Sequence, residues 1–345
     1  MCYVPFPGQS SFQLTKVDLE TQSFGYSFHT KPQCSPNRLN VGQHTNTPLQ
    51  RLTPPRRGIP MSPYKMSGTT VVSFSGGRSS AYMLRQVLDA NDDLDDLIVT
   101  FANTGKEHPA TLDFVNECAR RWQVPIVWLE YRDDDRGFAI VTYETASRDG
   151  EPFEALIRKR SYLPNPVTRF CTIDLKIRVI HKYLRMVGCS TEETPVDMMT
   201  GIRADEPRRV AKIRHRKTTT ESKHATMVMP LADAGVGVQQ IGEFWKAQAF
   251  DLELPTINGR TLEGNCDLCF LKGAKQVYSI IASDRSKADW WARMERTATQ
   301  SSAATTDGAL FRFDRPSYQQ MLDYSDTQFD MFADHDEAIS CFCGD

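Results

Sequence analysis

The sequence predicts an α/β fold: a parallel sheet with helices on both faces, followed by a helical C-terminal part. Two observations carry that expectation. From Thr69 onward, short apolar runs alternate with helical patterns, which implies parallel strands joined by right-handed crossovers. Glycine turns follow the first two runs, at the edge where parallel sheets take their ligands.

The elements read in order as follows. "TTVVSFS" is a short apolar strand, and "SSAYMLRQVLDA" places Tyr82, Met83, Val87 and Leu88 at helical spacing. "DDLIVTFANTG" is a second strand ending in a turn. "HPATLDFVNECARRW" is a helix with Pro109 in its first turn and an apolar stripe of Leu112, Phe114, Val115, Ala119 and Trp122. "VPIVWLEY" is a third strand. "TIDLKIRVIHKYLRMVG" is a helix that Gly188 ends, and "PVDMMTGI" is a fourth strand. Further on, "QQIGEFWKAQAF" and "KADWWARMERTA" are helices, with "TLEGNCDLCFLKG" a tight turn between them. Trp245, Trp290 and Trp291 are expected in the core or at an interface, and Cys118 in the core.

Three regions are expected. Residues 1–66, rich in Pro, Ser, Thr, Asn and Gln without a sustained period, read as a disordered extension. Met61 and Met66, just before the first strand, are candidate start sites. Residues 67–225 form the α/β nucleotide-binding domain. Residues 226–345 form a helical region with a Cys-x-x-Cys and a cysteine-rich tail.

A net charge of -2 gives no overall basic field to recruit nucleic acid. No apolar run approaches the roughly 20 residues of a membrane span, and the first residues lack the charged and apolar regions of a secretory signal. Nine cysteines, an odd number, point to the reducing cytoplasm and to metal or redox chemistry instead of a disulfide framework.

The stretch Ser75-Gly76-Gly77-Arg78-Ser79-Ser80 sits between the first strand and the first helix. Two glycines let backbone approach an anion, and helix N-terminal amides point at it. Hydroxyls on Ser75, Ser79 and Ser80 add donors, and Arg78 adds charge. The same pattern also suits a plain strand-to-helix turn with serine caps. It is neither the Walker spacing nor the dinucleotide spacing of glycines.

The stretch resembles the SGGxDS loop of the PP-loop ATP pyrophosphatases, the superfamily that includes phosphoadenosine phosphosulfate (PAPS) reductases and tRNA-thiolating enzymes. Ser79 stands where that motif has an acid. Three more segments are similar to PAPS reductases, in the same order. "FANTGKEHPATLDFV" resembles their second-strand segment, with Asn103 in place of the acid of DTG. "RFCTIDLK" resembles a Cys-x₄-Lys element, here Cys171 and Lys176. "GIRADEPRR" resembles a GxRxxE-type loop, here Gly201, Arg203 and Glu206.

The resemblance implies ATP or PAPS as ligand. It puts phosphates on Ser75–Ser80 and adenine against the backbone of Phe101 and Ala102, with the Phe101 ring as an apolar wall and Asn103 beside it. Arg78, Lys176 and Arg203 are the implied catalytic cations, and Arg209 is a further one. Glu206 pairs with an arginine or holds Mg²⁺.

Cys266-x-x-Cys269 has metal-ligand spacing. Relatives with a [4Fe–4S] cluster take ligands from the Cys171 element and a later Cys-x-x-Cys, so Cys171, Cys266, Cys269 and Cys343 are the candidate ligands. A structural Zn²⁺ and unliganded thiols are the alternatives. Cys341 or Cys343 could instead deliver a thiolate from a flexible tail.

The functional expectation is a PAPS reductase-like enzyme, reducing a sulfonucleotide, transferring sulfur, or using ATP to adenylate a substrate. A sulfur or electron donor protein is an implied partner. Two alternatives stay open: a non-catalytic nucleotide-binding subunit, and a thiolation enzyme whose basic run "RRVAKIRHRK" tracks tRNA or DNA.

Overall fold

The computed structural model describes residues 62–257, 260–299 and 309–325. The rest of the expected extension lies outside these, as do Cys341 and Cys343. Residues 62–66, the end of the expected extension, are among the described residues. Asn91 donates to the Tyr64 carbonyl at 3.0 Å and accepts from the Met66 N–H at 3.0 Å.

Six strands form one sheet: β1 (Thr70–Ser73), β2 (Leu97–Asn103), β3 (Ile126–Tyr131), β4 (Phe138–Val141), β5 (Val196–Thr200) and β6 (Ala225–Val228). Their spatial order is β4-β3-β2-β1-β5-β6. All neighbours are parallel except β3 and β4. The chain leaves β1 in one direction through β2 and β3, then returns to lay β5 on the other side of β1. That reversal creates a crevice between β1 and β5 beyond their carboxyl ends. Two strands of this sheet were not anticipated. β4 is a four-residue edge strand after a charged turn, and its pairing with β3 selects it. β6 begins at the expected domain boundary, residue 225, so the sheet continues past it.

Thirteen-residue α1 (Arg78–Ala90) and α2 (Pro109–Trp122) pack on one face of the sheet, where Val72, Val99, Met83, Leu84, Leu112, Val115 and Trp245 share a core. The start of α2 is local chemistry. Pro109 occupies the first turn, and the His108 ring nitrogen Nδ1 accepts from the Ala110 N–H at 3.1 Å. Burial pushes the Cys118 thiol on this helix well above its ordinary value.

The other face holds α3 (Glu151–Arg160) and a composite helix. That helix runs from α4 (Phe170–Thr172) through a π-helical turn (Ile173–Ile177) into α5 (Arg178–Met186). The next residues are α6 (Pro207–Arg216), the short α7 (Pro230–Asp233) and α8 (Val238–Lys246). The two-residue strands β7 (Thr256–Ile257) and β8 (Arg260–Thr261) pair antiparallel. Helices α9 (Ala274–Ser283), α10 (Ser286–Thr299) and α11 (Tyr318–Ser325) follow. Val71, Leu129, Leu184, Val277, Trp291 and Met321 lie in one cluster, so these last helices complete the core on the second face. Neighbouring Val71 and Val72 face opposite cores, as the two-residue period of a strand requires. No helix among the described residues is long and apolar enough to cross a membrane.

Candidate active-site cleft

The glycine turn is shaped by its surroundings. Gly76 has φ +81°, and a Cβ there would stand 2.7 Å from Thr111 Cγ2 and 3.2 Å from the Phe101 ring. Only glycine fits that close approach of turn to helix. Gly77 then caps α1 in an extended conformation. The serines bond inward. Ser75 donates from both its N–H and its hydroxyl to Ser80 Oγ, at 3.3 and 3.0 Å, and Ser80 Oγ donates to the Gly77 carbonyl at 2.9 Å. Ser79 is buried and accepts from Arg203 Nη1 at 3.3 Å.

A cleft of roughly 890 Å³, its open mouth included, lies beyond the carboxyl ends of β1 and β5. Ser73, Phe74, Ser75, Ala102, Thr200 and Gly201 form its floor. The π turn and α5 add Lys176, Ile177 and Ile180, and α6 adds Arg209, Ile213 and Arg216. Thr219, Thr220, Met198 and Met227 close the far side. The lining therefore carries three cations and no carboxylate among the described residues. A π turn adds a residue to the helical ladder and re-aims the side chains that follow it. It presents Lys176 to the cleft, beside Thr172 at the end of α4.

The expected site residues divide into two groups. Ser75, Ala102, Lys176 and Gly201 line the cleft, and so does Arg209. Gly76, Gly77, Arg78, Ser79 and Ser80 stand outside its lining, so the cavity begins one step before the glycine turn. The turn backs the cleft instead: a Cβ on Gly201 would meet Ser80 Cα at 2.9 Å, which fixes β5 against the start of α1.

Several side chains are committed elsewhere, for clear physical reasons. The Arg78 guanidinium grips Asp251 with two bonds of 2.7 and 2.6 Å and donates to Thr256 at 2.8 Å. It anchors the segment after α8. The Phe101 ring is buried beneath Gly76 in the opposite core layer, edge-on to Trp128 at 4.8 Å, and is no wall of the cleft. Asn103 is buried, donating to Glu130 Oε1 at 2.7 Å and to the Ser147 carbonyl at 2.8 Å. Its side-chain amide oxygen Oδ1 accepts from the Gly105 N–H at 3.0 Å.

Glu206 serves its own loop. It accepts from the Arg203 N–H at 3.0 Å and pairs with Arg209. Arg203 also binds Asp205 at 2.8 Å. Burial opposes ionisation of Asp205, but hydrogen bonds from the Val238 N–H and from Arg203 outweigh it and hold the carboxyl below its ordinary value.

The "NTGKEH" turn is welded to the "NCDLC" turn. Lys106 and Asp267 form an ion pair of 2.9 Å with both side chains about nine-tenths buried. Trp291 Nε1 donates to Asp267 at 2.8 Å. Glu107 and Cys266 form an antiparallel bridge, and Thr104 Oγ1 lies 3.5 Å from Cys266 Sγ. Cys269 is buried in the second core layer, against which Cys171 and Cys266 pack. Among the described residues, however, no three His, Cys, Asp or Glu side chains converge to hold a metal ion. Cys171, Cys266 and Cys269 thus do not by themselves make a cluster or zinc site, and Cys343 lies outside the described residues.

Sequence reasoning missed Arg216, Thr219 and Thr220 as cleft residues. It read the basic run for its charge alone and assigned it no helix, but Pro207 starts a helix there. The spacing of Arg209, Ile213 and Arg216, at i, i+4 and i+7, carried the signal of a single helical face.

Comparison with known proteins bears on this cleft. A family model described as the phosphoadenosine phosphosulfate reductase domain matches residues 69–235, which include every strand of the main sheet. A nin region protein of Escherichia phage lambda, ORF290, itself described as uncharacterized, is 30% identical over 218 residues. That match covers 60% of this chain and 67% of the phage protein. A crystal structure of PAPS reductase from Candida auris, a phosphate complex, overlaps 54% of this chain and 76% of its own. Its identity is 12% and its TM-score 0.35. By the family match and the phage relative, the chain belongs to the phosphoadenosine phosphosulfate reductase domain family of the PP-loop superfamily.

Proposed function

We propose that the chain is a sulfonucleotide reductase-like enzyme that binds an adenosine nucleotide in the cleft between β1 and β5. One observation carries the reading: at the switch point of the sheet the cleft is lined by three cations and, among the described residues, no carboxylate. Lys176, Arg209 and Arg216 would neutralise phosphate and sulfate oxygens directly. Phe74, Ile180, Met198 and Met227 offer the apolar surface that a purine needs. Backbone at Ser75 and Gly201 can come close to the ligand.

In this reading PAPS is favoured over ATP. Splitting ATP at the α-phosphate usually employs a metal held by acidic groups, and Ser79 stands at the acidic position of the motif, hydrogen-bonded by Arg203. Reduction would begin with a thiolate attacking the sulfate sulfur. The S–O bond to the phosphate breaks, and its electron pair leaves with the nucleotide. The three cations stabilise the charge that develops on that phosphate. Cys341 and Cys343 are the candidate nucleophiles from this chain, and a donor protein would then reduce the thiol adduct.

Calorimetry with PAPS, adenosine 5′-phosphosulfate, ATP and adenosine tests the proposal. PAPS should bind tightest and adenosine weakest, and Arg209→Ala should weaken PAPS binding by about 10-fold or more, the loss of a charge-assisted bond. Equal affinity for adenosine and PAPS would remove the basis for the reading, as would the absence of binding by any of the four.

A further inference from the structure

Glu107 precedes α2 and touches the cleft only through another residue. Its side chain is 1% exposed. One oxygen, Oε2, is fully engaged: it accepts from the Thr104 N–H at 2.9 Å and from the Thr104 hydroxyl at 2.8 Å. The other, Oε1, is buried and has no hydrogen-bond partner among the described residues. The charge facing it is the Lys176 ammonium at 3.5 Å. A carboxylate oxygen in that state is costly unless a cation compensates it. The backbone behind it is fixed as well. Glu107 bridges Cys266, and the adjoining Lys106 is locked to Asp267.

Lysine is a point charge on a flexible stem with four rotatable carbons, so its position is set by what holds it. Glu107 supplies a rigid, buried counter-charge 3.5 Å from the Lys176 ammonium.

We propose that Glu107 is the positioning residue for Lys176, fixing its ammonium at the cleft wall before any anion arrives. The inference takes its functional meaning from the reading of the cleft as a nucleotide site. Its geometry stands apart from that reading. The consequence is preorganisation: the anion meets a cation already in place, and the ordering of the lysine side chain is not charged against binding.

Two measurements test it on the full chain. The first needs no nucleotide: acetic anhydride labelling of lysines, followed by mass spectrometry. Glu107→Gln keeps size and the hydrogen bond from Thr104 but removes the charge. Lys176 should then label about 5-fold faster, while exposed Lys246 keeps its rate as reference. Thr104→Val, which removes one of the two hydrogen bonds to Oε2 and leaves the charge, should raise the Lys176 rate by a smaller factor. An unchanged Lys176 rate in folded Glu107→Gln protein would overturn the proposal.

The second is a double-mutant cycle on PAPS binding. Glu107→Gln should weaken binding about 5-fold in the native background and leave it unchanged when Lys176 is Gln. Tighter binding, or an equal loss in both backgrounds, would show that Glu107 acts by field or by fold alone. If the native chain binds no nucleotide, the cleft reading falls, and the labelling experiment still decides the role of Glu107.

Discussion

Asn103 and Glu130 meet at the buried ends of two neighbouring strands, where the amide donates to the carboxylate at 2.7 Å. Glu130 is fully buried and also accepts from the Ser147 N–H at 2.6 Å, the Ser147 hydroxyl at 2.9 Å and Arg132 at 3.0 Å. Position 103 must therefore donate. This is a physical reason for an amide where the similar DTG segment has an acid: a second carboxylate would face the first across a hydrogen-bond distance.

Asn103→Asp should accordingly destabilise the protein by about 3 kcal/mol at pH 8, because two buried carboxylates cannot both ionise there. The penalty should shrink at pH 5, where the pair can share a proton. Urea unfolding at both pH values measures it, and Glu130→Gln on the same background should recover most of the loss.

Gly76→Ala should cost about 1–3 kcal/mol, since φ is +81° and the new Cβ would press on Thr111. The turn that seats Ser75 would shift with it. Thermal unfolding and PAPS calorimetry should therefore both register the change.

The Lys106–Asp267 pair is buried on both sides, so removing one partner strands the other. Asp267→Asn should cost about 3 kcal/mol in urea unfolding, and the double variant Lys106→Met with Asp267→Asn should cost less than the sum of the two single changes. Strict additivity would show that the two charges do not communicate.

His181 predicts an acid sensitivity. The ring is buried, and neither nitrogen has a hydrogen-bond partner among the described residues. Burial, with Arg185 adding to it, lowers the imidazole to about 4, against 6.5 in the unfolded chain. The unfolded state thus takes up the proton first. Stability from this residue is constant above pH 6.5, falls as pH drops from 6.5 to 4, and levels off below. The span corresponds to about 3 kcal/mol. The difference in unfolding free energy between native protein and His181→Leu, measured at pH 7 and pH 4, should change by that amount in favour of the variant.

Arg78 offers a contrast with Arg209. Both guanidinium groups hold a carboxylate, Asp251 and Glu206, but Arg209 lines the cleft and Arg78 does not, so Arg78→Ala should lower the melting temperature and change PAPS affinity far less than Arg209→Ala does. Paired thermal and calorimetric measurements on the two variants decide it.

Local patterns were legible because their causes are local. Pro109 and His108 start α2 with groups one and two residues apart, and apolar spacing marked the interior strands. Charge and glycine patterns were read less well. The same serines and arginine that suggested a phosphate cradle bond to each other and to Asp251, 173 positions away. Short β4 and β6 carry too little pattern of their own, and neighbouring strands select them.

The sequence by itself determined the alternation of strands and helices, the first-strand glycine turn and the family, because each rests on residues close together in the chain. Tertiary structure decided where the cleft lies and which cations face it. Lys176 comes from the π turn, Arg209 and Arg216 come from α6, and Glu107, which faces Lys176, comes from a turn far earlier in the chain. Only the folding of those segments around the β1–β5 reversal puts the three cations on one cleft and brings Glu107 to 3.5 Å from Lys176, where Coulomb forces can act between them.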